Sequence, residues 1–290
     1  MRKLLYILLL FGSLVQAQFT PLVGIVASSG GGTALDYSIE NITDDGVSFL
    51  ISGQVTFGYG IETKPDGTRF YVQDATAVSE YTMTAGDVTS AAYQTPDKTI
   101  AAGGGTSRGF TLADNGTKAY SSNTVERQDR YSLSTAYDLS TMSATNQNHV
   151  MTDEVANIDD IAISPDGTKY WLLAEEHIWQ YTLSTAWDLT SETYDGVNID
   201  FTAFLGGGQG TDIEFSPDGK KLLVLKVVGQ VYQYSLPTAW DITGATKDTF
   251  EYDWRGTDVF CWGLKYTNNG TQLLIQGYDT DRVYQFSLNN

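Results

Sequence analysis

Apolar and polar side chains alternate over short stretches along most of the chain. This period of two predicts β-strands that bury one face. The pattern recurs in five units, each with an apolar strand, an Asp/Asn-Gly turn, a second apolar strand and an aromatic-rich third strand. No helical periodicity competes with it after the first 17 residues. The pattern therefore predicts an all-β protein built from tandem repeats.

A short turn marks each repeat. The five turns read KPDGT, ADNGT, SPDGT, SPDGK and TNNGT, and their glycines are Gly67, Gly116, Gly167, Gly219 and Gly270, spaced by 49, 51, 52 and 51 residues. Where Pro is present, it sets φ at the second turn position. Asp or Asn tolerates the backbone conformation of the third position, and Gly adopts the left-handed conformation of the fourth. The even spacing indicates five copies of one supersecondary unit.

The third strand and the segment after it also repeat. An aromatic residue stands in each third strand, at Tyr81, Tyr131, Tyr181, Tyr234 and Phe286. Three repeats continue into a connector that reads STAYDL (134–139), STAWDL (184–189) and PTAWDI (237–242). The first repeat has the shorter TAGDV (84–88), and the chain ends before a connector in the last. An aromatic at one repeat position, here Tyr137, Trp187 and Trp240, is typical of packing at the outer edge of a sheet.

Four short strands per repeat predict the blades of a β-propeller. The last repeat stops after its third strand, so its fourth strand has to come from elsewhere in the chain. The stretch from Asp45 to Ile51 resembles the stretch from Asp195 to Phe201, which holds the fourth-strand position of the third repeat. We therefore expect residues near 45–57 to close a ring of five blades. The alternative is six blades, with a degenerate blade formed by residues 18–44.

The first 17 residues predict a signal peptide. Arg2 and Lys3 precede an apolar run from Leu4 to Val15, and Val15-Gln16-Ala17 resembles a signal-peptidase site. We expect residues 1–17 to be removed, although an uncleaved anchor is the alternative. Residues 18–290 would then form one propeller domain, with 18–57 as the extension and closing strand and 58–290 as the five repeats. The predicted location is secreted, periplasmic or at the cell surface, without membrane insertion of the mature chain.

The charge and the cysteine count exclude several classes of partner and chemistry. The formal net charge is −18, from 17 basic and 35 acidic residues. A charge of that sign repels nucleic acid and anionic membranes, so neither is an expected partner. Cys261 is the only cysteine, lies between Phe260 and Trp262, and is expected to be a small core residue.

The repeats disagree with one another at the start of the innermost strand. Seven residues before the turn glycines stand Gly60, Gly109, Asp160, Asp212 and Gly263, preceded by Tyr59, Arg108, Asp159, Thr211 and Trp262. These positions are expected at the mouth of the central channel, and a ligand site there would escape the repeat constraint. Asp159, Asp160 and Asp212 offer hard oxygen ligands to a calcium ion. Tyr59, Arg108 and Trp262 suit a carboxylate or a sugar ring. The alternative is that the acids are solvated and Trp262 fills the hub.

Two phrases resemble a known repeat signature. SPDGTKYW (164–171) and FSPDGKKLLVL (215–225) resemble the turn and strand of YVTN-type and TolB-type propellers. QYTLSTAWDLTSETY (180–194) is similar to repeats in secreted proteins of marine bacteria and of their phages. The resemblance covers residues 60–290 and implies the fold, but it implies no activity, because the matching residues are turn formers.

Three classes of function remain open at this point. Two distant histidines and one cysteine give poor support to a zinc site or a histidine-driven triad. We therefore expect a non-catalytic binding or adhesion propeller that recognises a glycan or a protein. The first alternative is a metal-dependent lactonase-like or lyase-like enzyme that uses Asp159, Asp160 and Asp212. The second is a structural component of a cell-surface layer or a phage particle.

Overall fold

Twenty strands form five four-stranded antiparallel sheets in the described part of the chain. This computed structural model describes residues 35–55, 57–100, 105–151, 157–174, 176–202, 209–254 and 258–289. The predicted signal peptide and residues 18–34 lie outside these ranges. None of the helical turns in these ranges has the length and apolar character needed to cross a membrane.

Each sheet is one blade of a five-bladed propeller. The strands are numbered along the chain. Blade 1 contains β2 (Gly60–Thr63), β3 (Arg69–Gln73), β4 (Ala77–Thr84) and β5 (Asp87–Thr99), and blade 2 contains β6 (Ser107–Ala113), β7 (Lys118–Asn123), β8 (Arg127–Leu133) and β9 (Met142–Val150). Blade 3 contains β10 (Ile158–Ile163), β11 (Lys169–Ala174), β12 (His177–Leu183) and β13 (Glu192–Asp200), and blade 4 contains β14 (Gly210–Phe215), β15 (Lys221–Lys226), β16 (Gln230–Ser235) and β17 (Thr246–Asp253), whereas blade 5 combines β18 (Cys261–Thr267), β19 (Gln272–Gly277) and β20 (Arg282–Leu288) with β1 (Ile42–Leu50). The innermost strands β2, β6, β10, β14 and β18 contact one another in that order, and β18 contacts β2. The predicted ring of five blades is therefore confirmed.

The N-terminal strand closes the ring, as the sequence predicted. β1 pairs antiparallel with β20, from Ile42 opposite Leu288 to Leu50 opposite Arg282. The strand begins at Ile42, a little before the expected start near residue 45. Blade 5 thus combines its outermost strand from one end of the chain with three strands from the other end. This arrangement gives the exposed edge of β20 a partner.

The segment before β1 supplies the connector that the last repeat lacks. A 3-10 turn at Ile39–Asn41 matches those at Leu139–Thr141 and Leu189–Ser191, and each is capped by a side-chain oxygen of the preceding residue. A side chain on Gly270, the turn glycine of blade 5, would collide with the ring of Tyr37. Residues 36–44 therefore belong to blade 5 and do not form part of a sixth blade.

The connector aromatics pack on the turns, which confirms their predicted packing role. Tyr137 and Trp187 adopt left-handed φ angles of 62° and 60°. Each ring covers the turn glycine of its own repeat so closely that a Cβ atom there would clash. The carbonyl oxygens of the two residues accept hydrogen bonds of 2.6 and 2.7 Å from the hydroxyls of Tyr71 and Tyr120 in the preceding blades. One residue therefore fixes both the turn of its blade and the joint to the previous blade.

The third-strand aromatics and Cys261 are buried in the core. Tyr81 stacks on Phe70 with ring centroids 4.7 Å apart, and Tyr181 stacks on Tyr170 at 4.8 Å. Cys261 is fully buried, and burial raises the pKa of its thiol far above the usual value. The prediction that Cys261 is a core residue is confirmed.

Candidate functional site

A β-bulge lies at the start of four of the five innermost strands. The register shifts between Ser107 and Phe110, Ile158 and Asp160, Gly210 and Asp212, and Cys261 and Gly263. The bulged residues include Arg108, Asp159, Thr211 and Trp262. A bulge redirects a side chain out of the regular alternation. The position at which the repeats diverge in sequence is therefore also the position at which the backbone departs from a regular strand.

Four of the predicted site residues come together at the channel mouth. Arg108 forms an ion pair with Asp159, and Gln209 donates a 2.7 Å hydrogen bond to the other oxygen of that carboxylate. The guanidinium of Arg108 lies 5.2 Å from the ring centroid of Trp262, and the ring of Tyr59 meets Trp262 edge-on at 5.2 Å. Burial raises the pKa of Asp159, and its contacts with Gln209 and Arg108 oppose that shift.

Asp160 and Asp212 face the hub and accept hydrogen bonds from the backbone of the next blade. The N–H of Ile213 donates to Asp160 at 3.0 Å, and the N–H of Leu264 donates to Asp212 at 3.1 Å. The two residues are only 8% and 5% exposed, so the expectation that these acids are solvated is wrong. The physical reason is that an innermost strand has an unpaired edge, whose buried N–H groups need acceptors.

Two glutamates accept the same kind of hydrogen bond two residues further along the innermost strands, and a lysine forms ion pairs with both. Glu62 accepts from the N–H of Leu112 at 3.1 Å, and Glu214 accepts from the N–H of Tyr266 at 3.2 Å. The amine of Lys265 lies 3.2 Å from Glu62 and 2.9 Å from Glu214. Since Lys265 belongs to blade 5, it links the blades on both sides of the closure. Sequence reasoning missed this cluster, although all three residues stand five positions before a turn glycine.

Three carboxyls of the hub, those of Asp160, Asp212 and Glu214, have raised pKa values. Burial raises the pKa of Asp160 to about 7 and, despite the charge of Lys265, that of Glu214 to about 7. Burial and the charge of Asp160 raise the pKa of Asp212 well above its usual value. Burial lowers the pKa of Lys265, but the charges of Glu214 and Glu62 outweigh it and raise that pKa well above its usual value. Burial in the hub therefore favours the protonated forms of Asp160, Asp212 and Glu214.

The three aspartates of the predicted calcium site face different partners. Asp159 is bonded to Arg108 and Gln209, whereas Asp160 and Asp212 are bonded to backbone N–H groups. In the ranges that the structure covers, no three His, Cys, Asp or Glu side chains form a group suited to a metal ion. Calcium binding by Asp159, Asp160 and Asp212 stays a prediction.

Aromatic rings extend the channel mouth into a larger surface, which we call the aromatic patch and define as Phe57, Tyr59, Trp262 and Tyr278. Phe57 stacks on Tyr278 with centroids 5.0 Å apart, and Tyr278 lies 6.1 Å from both Tyr59 and Trp262. Sequence reasoning missed Phe57 and Tyr278. The sequence did contain a signal for Tyr278. Each repeat has a turn between its second and third strands, and Tyr278 is the one aromatic residue that stands first in such a turn.

Exposed large apolar side chains concentrate at the same end of the ring. Six of the seven such residues in the described ranges lie in fourth-to-first loops, in turns between second and third strands, or at the ends of outer strands, and these are Leu50, Phe57, Val125, Val150, Val259 and Phe260. The opposite end carries the Asp/Asn-Gly turns and the connectors. A cluster of exposed apolar residues on one face is typical of an interaction surface.

The chain is similar in structure to solved proteins with which it shares little sequence identity. No family model matches the chain, and no curated protein matches it. A chain in the crystal structure of a mitotic checkpoint complex has a TM-score of 0.46 and 12% identity, covering 79% of this chain and 61% of that chain. The β-propeller domain of Cps50 (Swd1) from Myceliophteria thermophila has a TM-score of 0.45 and 11% identity, covering 80% and 70%. This chain thus spans less than two thirds of the first neighbour. The resemblance to YVTN-type and TolB-type repeats stays a prediction.

Proposed function

We propose that this chain is an exported, non-catalytic binding module that recognises a protein partner through the aromatic patch. The observation that carries the proposal is the concentration of exposed apolar side chains at one end of the ring, around Phe57, Val259 and Phe260. Exposed aliphatic and aromatic groups of this kind gain free energy when a partner removes them from water.

The chemistry of the patch suits a protein partner. Tyr, Trp and Arg are the side chains that dominate the binding energy of protein interfaces, and Tyr59, Trp262 and Arg108 lie together here. Asp159 holds Arg108 against Trp262, so little side-chain freedom remains to be lost on binding. A glycan ligand is the alternative, because the same rings can stack on sugars.

The charge around the patch indicates a basic rim on the partner. Asp279 is exposed beside Tyr278, and the acidic side chain of Asp258 lies nearby. The whole chain carries a formal charge of −18. A partner with apolar residues flanked by Lys or Arg would therefore associate faster, and its association would slow with added salt.

The proposal is tested with the mature chain against two libraries. We expect a displayed-peptide library to be enriched in peptides that combine aromatic and basic residues, and the double variant Phe57→Ser/Phe260→Ser to lose that enrichment. Val125→Ser/Val150→Ser, on another part of the same face, is the matched control and should keep it. Binding to a glycan array that the first variant loses would replace the protein partner with a glycan. Equal behaviour of the first variant and the wild-type chain in both assays would contradict the proposal.

A metal-dependent enzyme is the second candidate. It is favoured by the raised pKa values of Asp160 and Asp212, because carboxyls perturbed in this way cluster at functional sites. A thermal melt with and without millimolar calcium tests it. A calcium-dependent rise in Tm that Asp160→Asn/Asp212→Asn abolishes would support the site, and an unchanged Tm would contradict it.

A further inference from the structure

Blade 2 departs from the repeat at a core position of its third strand. Three residues before the third-strand aromatic, the other blades have fully buried aliphatic residues, namely Val78, Ile178, Val231 and Val283. Blade 2 has Gln128 there, and this side chain is only 1% exposed. A glutamine at a core position is costly unless both ends of its amide find hydrogen-bond partners.

Neither end of that amide has a partner among the described residues. The Oε1 and Nε2 atoms of Gln128 are both buried without a hydrogen bond, and so is the hydroxyl of Ser122. Ser122 stands directly opposite Gln128 on β7, and His149 stands opposite it on β9. The same row of blade 3 is apolar, with Leu173, Ile178 and Ile199. Blade 2 thus presents a polar row where blade 3 has an apolar one.

The joint between blades 2 and 3 also differs from the other four joints. At those joints a third-strand side chain accepts a hydrogen bond from the backbone N–H of the next connector, and the pairs are Glu80 with Leu139 at 2.9 Å, Gln180 with Ile242 at 2.8 Å, Gln233 with Ile39 at 2.8 Å, and Gln285 with Val88 at 3.0 Å. Blade 2 has Arg130 at this position. A guanidinium has only donors, so it cannot make the bond that its counterparts make.

A cleft opens where these departures meet. It is partly open to solvent, and it is lined by Gln128, Arg130, Asn148, His149, Asp188, Leu189 and Thr190. The whole cleft has room for about one water molecule. The lining joins β8 and β9 of blade 2 to the connector of blade 3, so the cleft runs along the joint between the two blades.

The lining suits an uncharged group that both donates and accepts. The positive charge of Arg130 is offset by Asp188 in the lining, and Glu192 lies 2.6 Å from the Nε2 atom of His149. Gln128 offers one acceptor and two donor hydrogens within a few ångströms of each other. A hydroxyl group fits this space, and it offers a donor to the Oε1 atom and an acceptor to the Nε2 atom of Gln128. We propose that this cleft binds a hydroxyl group of a neutral sugar or polyol, with Gln128 as its main hydrogen-bonding residue.

The test measures binding of defined probes to the full mature chain. Saturation-transfer NMR is recorded with glucose, galactose, mannose and glycerol at millimolar concentration, for the wild-type chain and for Gln128→Val. Val is the residue of three other blades, so we expect this variant to fold and its Tm to rise by about 2–4 °C, because a buried unpaired amide is removed. We also expect it to lose the saturable signal of at least one probe.

Two further variants make the result decisive. Phe57→Ser changes only the aromatic patch and should keep the signal, which separates this cleft from the surface of the proposed function. Arg130→Gln restores the side chain of blades 3 to 5 and should weaken binding, and it replaces Gln128→Val if that variant does not fold. A signal that is retained in Gln128→Val, or that is as strong in Arg130→Gln as in the wild-type chain, would overturn the proposal. The lack of a saturable signal from any of the four probes with the wild-type chain would also overturn it, and a crystallographic water bonded to both ends of the Gln128 amide would then identify the occupant as water.

Discussion

Single carboxylates hold the blades of this protein together as hydrogen-bond acceptors. Asp160, Asp212, Glu62 and Glu214 each bind a backbone N–H of the next innermost strand, at 3.0 to 3.2 Å. An acceptor at these sites matters more than a charge, because the N–H groups are buried at a strand edge. Loss of the acceptor oxygen should therefore lower the free energy of unfolding more than loss of the negative charge does.

Substitution of Asp160 tests that separation. Asp160→Ala leaves the N–H of Ile213 without its acceptor and should lower the free energy of unfolding by about 1–3 kcal/mol. Asp160→Asn keeps an oxygen at the same place and should cost less than half as much. Urea unfolding at pH 7 measures both, with the exposed Asp279→Ala as control. Equal losses for Ala and Asn would show that the charge is what matters.

The pH dependence of stability follows from the same carboxyls. In the folded chain the pKa of Asp160 and that of Glu214 are both raised to about 7, from 3.8 and 4.5. Their stabilising effect is fully present below the unfolded pKa values and is lost as pH rises through about 7. Turn carboxyls such as Asp66 and Asp166 have lowered pKa values, so their contribution is lost below about pH 4.

Stability should therefore be greatest near about pH 4 and should fall by at least a few kcal/mol as the pH rises from there to about 7. Unfolding by urea across this range measures the profile. Glu214→Gln removes one titrating group and should flatten the fall between pH 5 and pH 8. A stability that rises steadily from pH 5 to pH 8 would contradict the assignment of buried, protonated carboxyls to the hub.

At the scale of the strand and turn, the left-handed turn glycine of four of the five repeats supports an aromatic ring of the connector. Gly167 has a φ of 69°, and a Cβ atom there would collide with Trp187. Gly196 has a φ of 73° but nothing within 4 Å of a Cβ atom. Gly196→Ala should thus report backbone strain alone, about 1–2 kcal/mol, whereas Gly167→Ala adds overpacking of about 1–3 kcal/mol. Thermal or urea unfolding compares the two, and equal losses would refute the role of the ring.

The elements that depend on local sequence were predictable, and those that depend on pairing were not. Turns with Asp/Asn-Gly and strands with a period of two gave the repeats and the closing strand, because backbone φ and alternation act within a few residues. The bulges at Arg108, Asp159 and Trp262 were not visible, since a register shift exists only relative to a partner strand. For the same reason the hub carboxylates at Asp160 and Asp212 were expected in solvent.

A partial match explains why the last connector was missed. Tyr37-Ser38-Ile39 corresponds to Tyr137-Asp138-Leu139, but it lies at the other end of the sequence and carries Ser in place of Asp as the cap. Serine and aspartate cap a helical turn by the same hydrogen bond to an N–H group. The connector at Tyr37-Ser38-Ile39 can be recognised from the sequence if Ser and Asp are treated as equivalent capping residues.

On the scale of the whole molecule, stability depends on one joint between the chain ends. Blade 5 takes β1 from the N-terminal side, Ile39 donates its N–H to Gln233 of blade 4, and Lys265 contacts Glu62 and Glu214 on the blades to either side. Loop-closure entropy opposes bringing such distant residues together, so the ring closes only if these contacts together offset that cost. The aromatic patch shares this dependence, because Phe57 and Tyr59 lie between β1 and β2, whereas Trp262 lies in β18 and Tyr278 follows β19.

Truncation tests whether the ring stands without that joint. A mature chain that begins at residue 51 lacks the connector and β1, and should lose cooperative unfolding or show a Tm lowered by more than 10 °C, on the order of several kcal/mol. A chain that begins at Asp36 keeps both elements and should melt as the mature chain does. Adding a peptide of residues 36–55 to the shorter chain should restore part of the lost Tm in a concentration-dependent manner, because the peptide binds only the folded ring. If the shorter chain melts at the wild-type temperature, β1 and its connector are not needed to close the propeller, and blades 1 to 4 with the three C-terminal strands of blade 5 are stable without them.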